Sequence, residues 1–194
     1  MIIGITGGVG AGKSEVLKFL KEEYGAMILE MDAIGREVME PDGICFHKVV
    51  GLFGEEILNK EGCLDRAKIA GIVFRDPEKL EALNGIVHPA VRAFCDQKIR
   101  KAAEENIPYV VMESAILLDA GYEAVCDEVW YIYADEKVRA ARLRESRGYS
   151  AERIRSVMAS QKSDAFFREH TDFTVDNSKD LAYMKKQIIE RLGK

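Results

Sequence analysis

The chain has 194 residues, 47% of them hydrophobic and 31% charged, and its formal net charge is −5. This length fits one compact domain with inserted segments, and an acidic chain without a basic block is a poor partner for nucleic acid or an anionic membrane. No apolar run approaches the roughly 20 residues of a membrane helix, and no targeting segment is recognisable. The four cysteines form no CxxC pair that would indicate zinc. We therefore expect a cytoplasmic protein.

The first predicted elements are a strand, a glycine-rich loop and a helix. Residues 2–6 are apolar or β-branched, and residues 13–23 place an apolar stripe on one helical face. Between them, the residues from Gly7 to Ser14 match G-x-x-x-x-G-K-[ST]. This is the phosphate-binding pattern that follows a strand and opens a helix.

Each part of this loop has a chemical role in a nucleotide site. The backbone N–H groups of Gly10, Ala11 and Gly12 would surround phosphate oxygens, and the helix dipole would add positive potential. Lys13 would reach the β- and γ-phosphates, and Ser14 would coordinate Mg²⁺. The alternative is a glycine turn used only to pack a helix against a strand, but the presence of both flanking elements favours nucleotide binding.

A second strand is predicted over residues 26–31, and it ends among carboxylates. Glu30 and Asp32 would share one face of the strand, because side chains alternate along it. The carboxyl ends of parallel strands border the ligand crevice, so Asp32 would point toward the phosphates or the acceptor. The alternative is an ordinary surface carboxylate.

Residues 33–107 predict a mainly helical insertion, because they contain helical patterns, such as 66–73 and 77–87, and no comparable buried strand. Pro89 predicts the start of a helix, which would place Arg92 in its first turn. A cation there opposes the helix dipole, so we expect an anionic ligand or an acidic neighbour. His88, taken alone, is more often a hydrogen-bonded structural histidine.

The third and fourth predicted strands, residues 109–112 and 129–133, both lead into candidate site residues. Glu113 follows the third strand, at the position of the residue that helps to hold Mg²⁺ in phosphate-loop enzymes, or it is an ordinary strand-end acid. An arginine-rich stretch follows the fourth strand and suits a lid over a transferring phosphoryl group, or it is a solvated helix face. Arg142 and Arg147 would converge on one anion, and we expect Arg142 to affect turnover more than ATP binding.

The fifth predicted strand, residues 173–175, is followed by Asn177, which would contact the adenine of the donor or simply form a turn. The five strands and the helices between them predict an α/β fold, a parallel five-stranded sheet flanked by helices. A GTPase would need N-K-x-D to read its base, and the sequence does not supply it. The pattern therefore favours a kinase over a nucleotide switch.

These clusters, in this order, resemble the dephospho-coenzyme A kinase family, which phosphorylates the ribose 3′-hydroxyl of dephospho-coenzyme A in the last step of coenzyme A synthesis. The resemblance spans nearly the whole chain. It rests on the loop at residues 4–14, on Asp32 with Arg36, on residues 83–89 with Arg92, on residues 116–118, on Arg142-Leu143, on Gln161 and on Asp176-Asn177.

The resemblance implies ATP as donor, Mg²⁺, dephospho-coenzyme A as acceptor and a molecule of three parts. Residues 1–32, 106–139 and 169–194 would form a nucleotide-binding core, residues 33–105 a helical acceptor domain and residues 140–168 a small lid. Asp32 matches the catalytic base and Arg142 the lid arginine. The candidates for the acceptor side are Arg36, His88, Arg92 and Leu117.

The sequence also departs from the family pattern. Glu30 stands in place of a first aspartate, Ala115 in place of a proline and Asp119 in place of a glutamate. The second lid arginine is displaced by one position to Arg147. Two alternatives stay open at this point: another small-molecule or nucleoside monophosphate kinase, and a nucleotide-dependent switch.

Overall fold

A parallel sheet of five strands organises the fold. The structure is a computed structural model, and it describes residues 1–193. The strands are β1 (Ile2–Thr6), β2 (Met27–Glu30), β3 (Val110–Glu113), β4 (Glu128–Tyr133) and β5 (Phe173–Asp176), in the order β2-β3-β1-β4-β5. In the centre, Ile5 of β1 lies opposite Glu113 of β3 and Trp130 of β4. The loop after β1 is therefore flanked by the ends of β3 and β4.

Helices supply most of the remaining structure. They are α1 (Lys13–Tyr24), α2 (Met31–Glu37), α3 (Phe46–Phe53), α4 (Arg66–Val73), α5 (Pro77–Glu104), α6 (Glu136–Arg147), α7 (Ala151–Ala159), α8 (Asp164–Glu169) and α9 (Leu181–Leu192). Two short 3₁₀ helices, Glu55–Ile57 and Tyr122–Val125, complete the elements of residues 1–193. No helix within residues 1–193 combines the length and apolar character that crossing a membrane would require.

The sheet residues and the helices α1 and α9 form one apolar core. Ile3, Ile5, Trp130 and Ile132 of the sheet are fully buried together with Val16 and Leu20 of α1 and Met184 and Ile188 of α9. Strands buried on both faces explain why the sequence shows them as continuous apolar runs. The core holds β1 and α1 in place, and the glycine-rich loop joins these two elements.

The chain divides into two units, each described here by itself. The first comprises Met1–Leu29 and the described residues from Ala102 onward, and it contains nearly all of the sheet. The second, Glu30–Lys101, contains α2, α3, α4 and most of α5. Asp65 caps α4, because its side chain accepts hydrogen bonds from the backbone N–H groups of Ala67 and Lys68. The prediction of a mainly helical insertion is confirmed.

The prediction that Asp32 lies on a strand is wrong. β2 ends at Glu30, and Asp32 belongs to the first turn of α2. Met31 and Ile34 are both buried, and their spacing of three residues is helical rather than extended. Glu30 and Asp32 therefore do not share a strand face.

The prediction that Pro89 starts a helix is also wrong, because it lies inside α5. Proline lacks the N–H that would donate to the carbonyl of Gly85, and its ring crowds that carbonyl, so the position has a local cost. Val91 and Cys95 are buried on the far side of the proline, so packing stabilises the continuation of the helix. Arg92 lies in the middle of α5 and not in a first turn, so the helix dipole does not require an anionic neighbour for it.

Candidate active site

The glycine-rich loop between β1 and α1 has a backbone that requires glycine at two positions in particular. Gly10 and Gly12 have φ angles of 83° and 85°. A Cβ at Gly10 would lie 3.0 Å from the backbone oxygen of Arg139, and one at Gly12 would collide with the Asn177 side chain. Gly12 has no side chain that could cap α1, so N–H groups of its first turn stay available to an anion.

Lys13 lies at the inner end of this loop and is already engaged by protein groups. Its Nζ donates a hydrogen bond to the carbonyl of Gly7 at 2.9 Å and lies 3.4 Å from Oε1 of Glu113. The two charged side chains are only 15% and 13% exposed. Such a shielded ion pair interacts more strongly than a surface pair. The sheet register that places Glu113 opposite Ile5 creates this pair.

Ser14 and Glu113 are the residues that fit a magnesium ion. Both offer oxygen atoms, the ligand type that Mg²⁺ prefers, and Ser14 is exposed at the start of α1. Within residues 1–193 there is no group of three or more His, Cys, Asp or Glu side chains that could hold a metal. This agrees with a kinase site, where Mg²⁺ takes one or two protein ligands and completes its shell with phosphate oxygens and water.

Side chains at least 130 residues further along the sequence than the loop groups they contact hold the loop in place. Arg139 Nε donates to the carbonyl of Val9 at 3.0 Å. Arg142 donates to the carbonyls of Ala11 at 3.3 Å and Asn177 at 3.0 Å. The Asn177 amide also donates to the carbonyl of Ala11, at 2.9 Å. These bonds occupy the carbonyls of Val9 and Ala11, and within the loop the N–H of Ala11 donates to the carbonyl of Gly8 at 3.2 Å.

Asn177 is 2% exposed, and its Oδ1 is buried without a hydrogen-bond partner among the residues that the structure describes. An acceptor buried without a partner is costly. Its other polar groups are engaged, since its backbone N–H donates to Tyr133 at 2.8 Å. The sequence predicts that Asn177 either contacts the adenine or forms a turn, and in the structure its amide nitrogen donates to the phosphate-binding loop.

Arg139 and Gln161 are functional candidates that sequence reasoning did not single out. In the sequence, Arg139 is one of several arginines of the predicted lid region, and Gln161 belongs to the pattern that resembles the family. In the structure, the Arg139 guanidinium also donates to Oε1 of Gln161. The usable signal was the spacing of Arg139 and Arg142, since residues three apart share one face of a helix.

Arg147 occupies a different environment from Arg142. It is the exposed last residue of α6, and its hydrogen bond to Tyr149 is the main cause of a lowered pKa for that phenol. Arg153 also stacks on the Tyr149 ring, 4.1 Å from its centroid. Arg142 binds the loop, whereas Arg147 lies beside Tyr149, so the structure does not bring the two arginines onto one set of contacts.

The remaining predicted residues belong mainly to the helical unit. Asp32 and Arg36 are exposed on α2, where Arg36 Nε donates to the backbone carbonyl of Asp32 at 3.1 Å. His88 is half-buried and Arg92 exposed, one turn apart on α5. Leu117 belongs to the other unit and is fully buried, and a Cβ on Gly4 would lie 3.1 Å from it. Leu117 therefore presents no surface to a ligand here.

Several known proteins similar in sequence to this chain are named dephospho-CoA kinases. Residues 1–182 match a family model described as dephospho-CoA kinase. The dephospho-CoA kinase of Carboxydothermus hydrogenoformans is 34% identical over 100% of this chain and 93% of its own length. That of Corynebacterium diphtheriae is 34% identical over 100% and 94%.

Solved structures show the same fold. TT1252 from Thermus thermophilus is 28% identical, with a TM-score of 0.85 over 100% of this chain and 96% of that chain. Shikimate kinase from Acinetobacter baumannii shares the fold at 15% identity, with a TM-score of 0.54 over 99% and 93%. The family match covers the phosphate-binding loop, the helical unit and the residues that hold the loop, and it shows that this chain belongs to the dephospho-CoA kinase family.

Proposed function

We propose that this chain transfers the γ-phosphoryl group of ATP to the ribose 3′-hydroxyl of dephospho-CoA and releases CoA and ADP. The chain is a phosphotransferase of the family that catalyses the final step of CoA biosynthesis. The observation that carries the proposal is the family match over residues 1–182, joined to a loop whose N–H groups and Lys13 suit a polyphosphate. A cytoplasmic location and the absence of nucleic-acid partners stay predictions of the sequence.

The donor is bound by the loop in this proposal. The backbone N–H groups of Gly10, Ala11 and Gly12 bind phosphate oxygens, and the start of α1 adds the positive end of its dipole. The Lys13 ammonium moves from the Gly7 carbonyl to the β- and γ-phosphates. Asn177 and Arg142 support the loop from outside, next to the donor.

Mg²⁺, when bound, neutralises charge on the β- and γ-phosphates. Ser14 and Glu113 are the residues that would hold it. Glu113 also balances the charge of Lys13 when no nucleotide is present. Glu113 therefore compensates the charge of a shielded cation.

The acceptor side uses the helical unit. Asp32 accepts the proton of the 3′-hydroxyl, and its exposure leaves the carboxylate free to meet a substrate. Arg36 and Arg92 are exposed cations suited to the phosphates of dephospho-CoA, and His88 is a further candidate. Leu117 would act only through packing beneath β1. Arg142 stabilises the charge of the transferring group, with Arg147 as a second candidate.

We also propose three functional parts: a nucleotide-binding core of residues 1–32, 106–139 and 169–194, an acceptor domain of residues 33–105, and a lid of residues 140–168. The helical character of Glu30–Lys101 supports the second part. The short helices α7 and α8, which follow α6 and carry exposed polar residues, support the third.

A coupled assay for ADP release tests the proposal with four reactions: dephospho-CoA, a nucleoside monophosphate mixture, shikimate, and no acceptor. We expect turnover only with dephospho-CoA, with CoA identified by mass spectrometry. Lys13→Ala is the control that removes the catalytic contribution of the loop. Turnover of shikimate or a monophosphate in place of dephospho-CoA would overturn the acceptor assignment, and ADP release without any acceptor would indicate a switch or hydrolase.

A further inference from the structure

Arg139 links two distant parts of the first unit. Its Nε donates to the carbonyl of Val9 in the loop at 3.0 Å, and its Nη2 donates to Oε1 of Gln161, the second residue after α7. The side chain is half-buried on α6. One guanidinium thus spans from the phosphate-binding loop to the segment that we propose as a lid.

The Val9 carbonyl depends on this arginine more than the Ala11 carbonyl depends on any one donor. Ala11 accepts hydrogen bonds from both Arg142 and Asn177. Val9 accepts from Arg139, its only side-chain donor within residues 1–193. Gly8 permits the approach, because a Cβ at that position would collide with the Arg139 guanidinium.

The Val9 carbonyl and the Gly10 N–H belong to one planar peptide unit, so they point in opposite directions. A donor that holds the Val9 carbonyl therefore fixes the direction of the Gly10 N–H, which points away from the Arg139 guanidinium. Gly10 has no Cβ and a φ of 83°, so its own side-chain sterics do little to restrict this peptide. The orientation of this N–H group rests on Arg139.

Gln161 holds the Arg139 guanidinium beside the loop by accepting its second hydrogen bond. The guanidinium borders a cleft of about 610 Å³ that is also lined by Tyr131, Arg155 and Asp164. If the bond to Gln161 is lost, this cleft offers Arg139 room to leave the loop. Arg155 would repel the displaced guanidinium, because it carries the same charge. Asp164 would compete with the loop for the guanidinium of Arg139.

We propose that Arg139 is a positioning residue for the nucleotide phosphates, and that Gln161 holds it in place, so that the segment after α7 controls how well the loop binds ATP. This proposal rests on the proposed function, because it treats the loop as the site of the nucleotide phosphates. Arg139 acts through the peptide between Val9 and Gly10 and does not itself contact the nucleotide.

Calorimetric binding of ADP and AMP to the full-length chain tests this proposal. Arg139→Met should weaken ADP binding on the order of tenfold, since one charge-assisted hydrogen bond to the loop is lost. The affinity for AMP should fall less than the affinity for ADP, because AMP lacks the β-phosphate that the loop is proposed to surround. Arg139→Lys should recover part of the ADP affinity, because an ammonium can still donate to Val9. Arg144→Ala, an exposed residue of the same helix, is the matched control for loss of charge.

Gln161→Ala should weaken ADP binding in the same direction but by less, about threefold. The double variant Arg139→Met, Gln161→Ala should bind ADP as Arg139→Met does, because Gln161 acts through Arg139. The amide signal of Gly10 in NMR spectra should shift in both single variants. Thermal unfolding of each variant separates these effects from a loss of folding.

The outcomes distinguish this proposal from the proposed function. Wild-type ADP affinity in Arg139→Met, or losses that add fully in the double variant, would overturn the positioning role. If the variants behave as expected but the wild type does not phosphorylate dephospho-CoA, the proposed function fails and the positioning role stands. A wild type that binds no ADP overturns both.

Discussion

The ammonium of Lys13 lies 3.4 Å from the carboxylate of Glu113, joining the start of α1 to the end of β3. Both side chains are mostly buried, so each compensates part of the charge of the other in a shielded environment. If nucleotide phosphates bind to Lys13, as we propose, their oxygens compete with Glu113 and the Gly7 carbonyl for the three N–H donors of its ammonium.

Lys13→Ala should weaken ATP binding and turnover together. The ammonium contacts phosphate both before and during transfer, and a charged hydrogen bond of this kind is worth about 1.5–3 kcal/mol, or roughly 10- to 100-fold in affinity. Titration calorimetry with ATP and the coupled assay measure the two effects. An unchanged affinity for ATP would contradict the assignment of the loop.

Glu113→Gln should separate the two roles of Glu113. Without metal, in EDTA, ATP should bind at least as well as to the wild type, because Lys13 no longer has to leave a carboxylate. With Mg²⁺, turnover should fall and half-saturation should require more metal, since one anionic ligand is lost. Glu15→Gln, an exposed carboxylate of the first turn of α1, is the control. An unchanged dependence on Mg²⁺ would exclude Glu113 as a ligand.

Arg142→Ala should lower kcat and also weaken ATP binding, with the larger effect on kcat. The sequence pattern predicts the effect on turnover, because a lid arginine serves charge that develops during transfer. The hydrogen bonds of Arg142 to the carbonyls of Ala11 and Asn177 also stabilise the conformation of the loop, so their loss should weaken ATP binding. Steady-state kinetics and ATP titration of Arg142→Ala, beside Arg144→Ala, measure both. A loss confined to affinity would argue against a role in transfer.

Asp32→Asn should reduce turnover by roughly 10²- to 10⁴-fold while both substrates still bind, because the amide keeps the size but cannot accept the proton. Glu30→Gln should reduce turnover less than Asp32→Asn does, since Glu30 ends β2 and does not share a strand face with Asp32. The measurements are kcat for both variants and calorimetric binding of dephospho-CoA. Near-normal turnover in Asp32→Asn with an inactive Glu30→Gln would show that the base is misassigned.

The thiol of Cys126 should make the free energy of unfolding depend on pH in the alkaline range. Burial, and then the nearby Asp127, Glu123 and Asp172, raise the pKa of its thiol from 9.0 to about 12. Between these values the unfolded chain releases the proton and the folded chain keeps it, so the free energy of unfolding falls as pH rises.

Cys126→Ala removes this proton linkage. The stability difference between wild type and variant should therefore narrow from pH 8 toward pH 11 in urea unfolding curves. Cys95→Ala, at a buried thiol whose pKa is raised to about 11, should show the same trend. A difference that stays constant over this range would contradict the raised pKa of Cys126.

The family comparison decides between the alternatives that the sequence left open. A nucleotide-dependent switch, another small-molecule or nucleoside monophosphate kinase, and a dephospho-CoA kinase would all contain a phosphate-binding loop, so the pattern from Gly7 to Ser14 does not separate them. The match over residues 1–182 does, because it includes the helical unit as well as the loop. The solved shikimate kinase shares only the fold at 15% identity.

Local patterns in the sequence were enough to predict the elements that depend on neighbouring residues. The strand at Ile2–Thr6, the start of α1 at Lys13 and the whole of α4 agree with the predicted bounds. Ser150 caps α7, because its hydroxyl accepts a hydrogen bond from the backbone N–H of Arg153. In each case a periodic apolar face or a capping residue acts over a few positions.

Only the tertiary structure decided where α2 begins, how α5 passes Pro89 and what holds the phosphate-binding loop. Burial of Met31 and Ile34 favours a helix where the apolar run suggested a strand, and burial of Val91 and Cys95 outweighs the local cost of a proline. The bonds from Arg139 and Asn177 to the loop join residues 130 and 166 positions apart. No local pattern encodes such contacts, because they form only when the packing of β1, β4 and β5 brings distant segments of the chain to one end of the sheet.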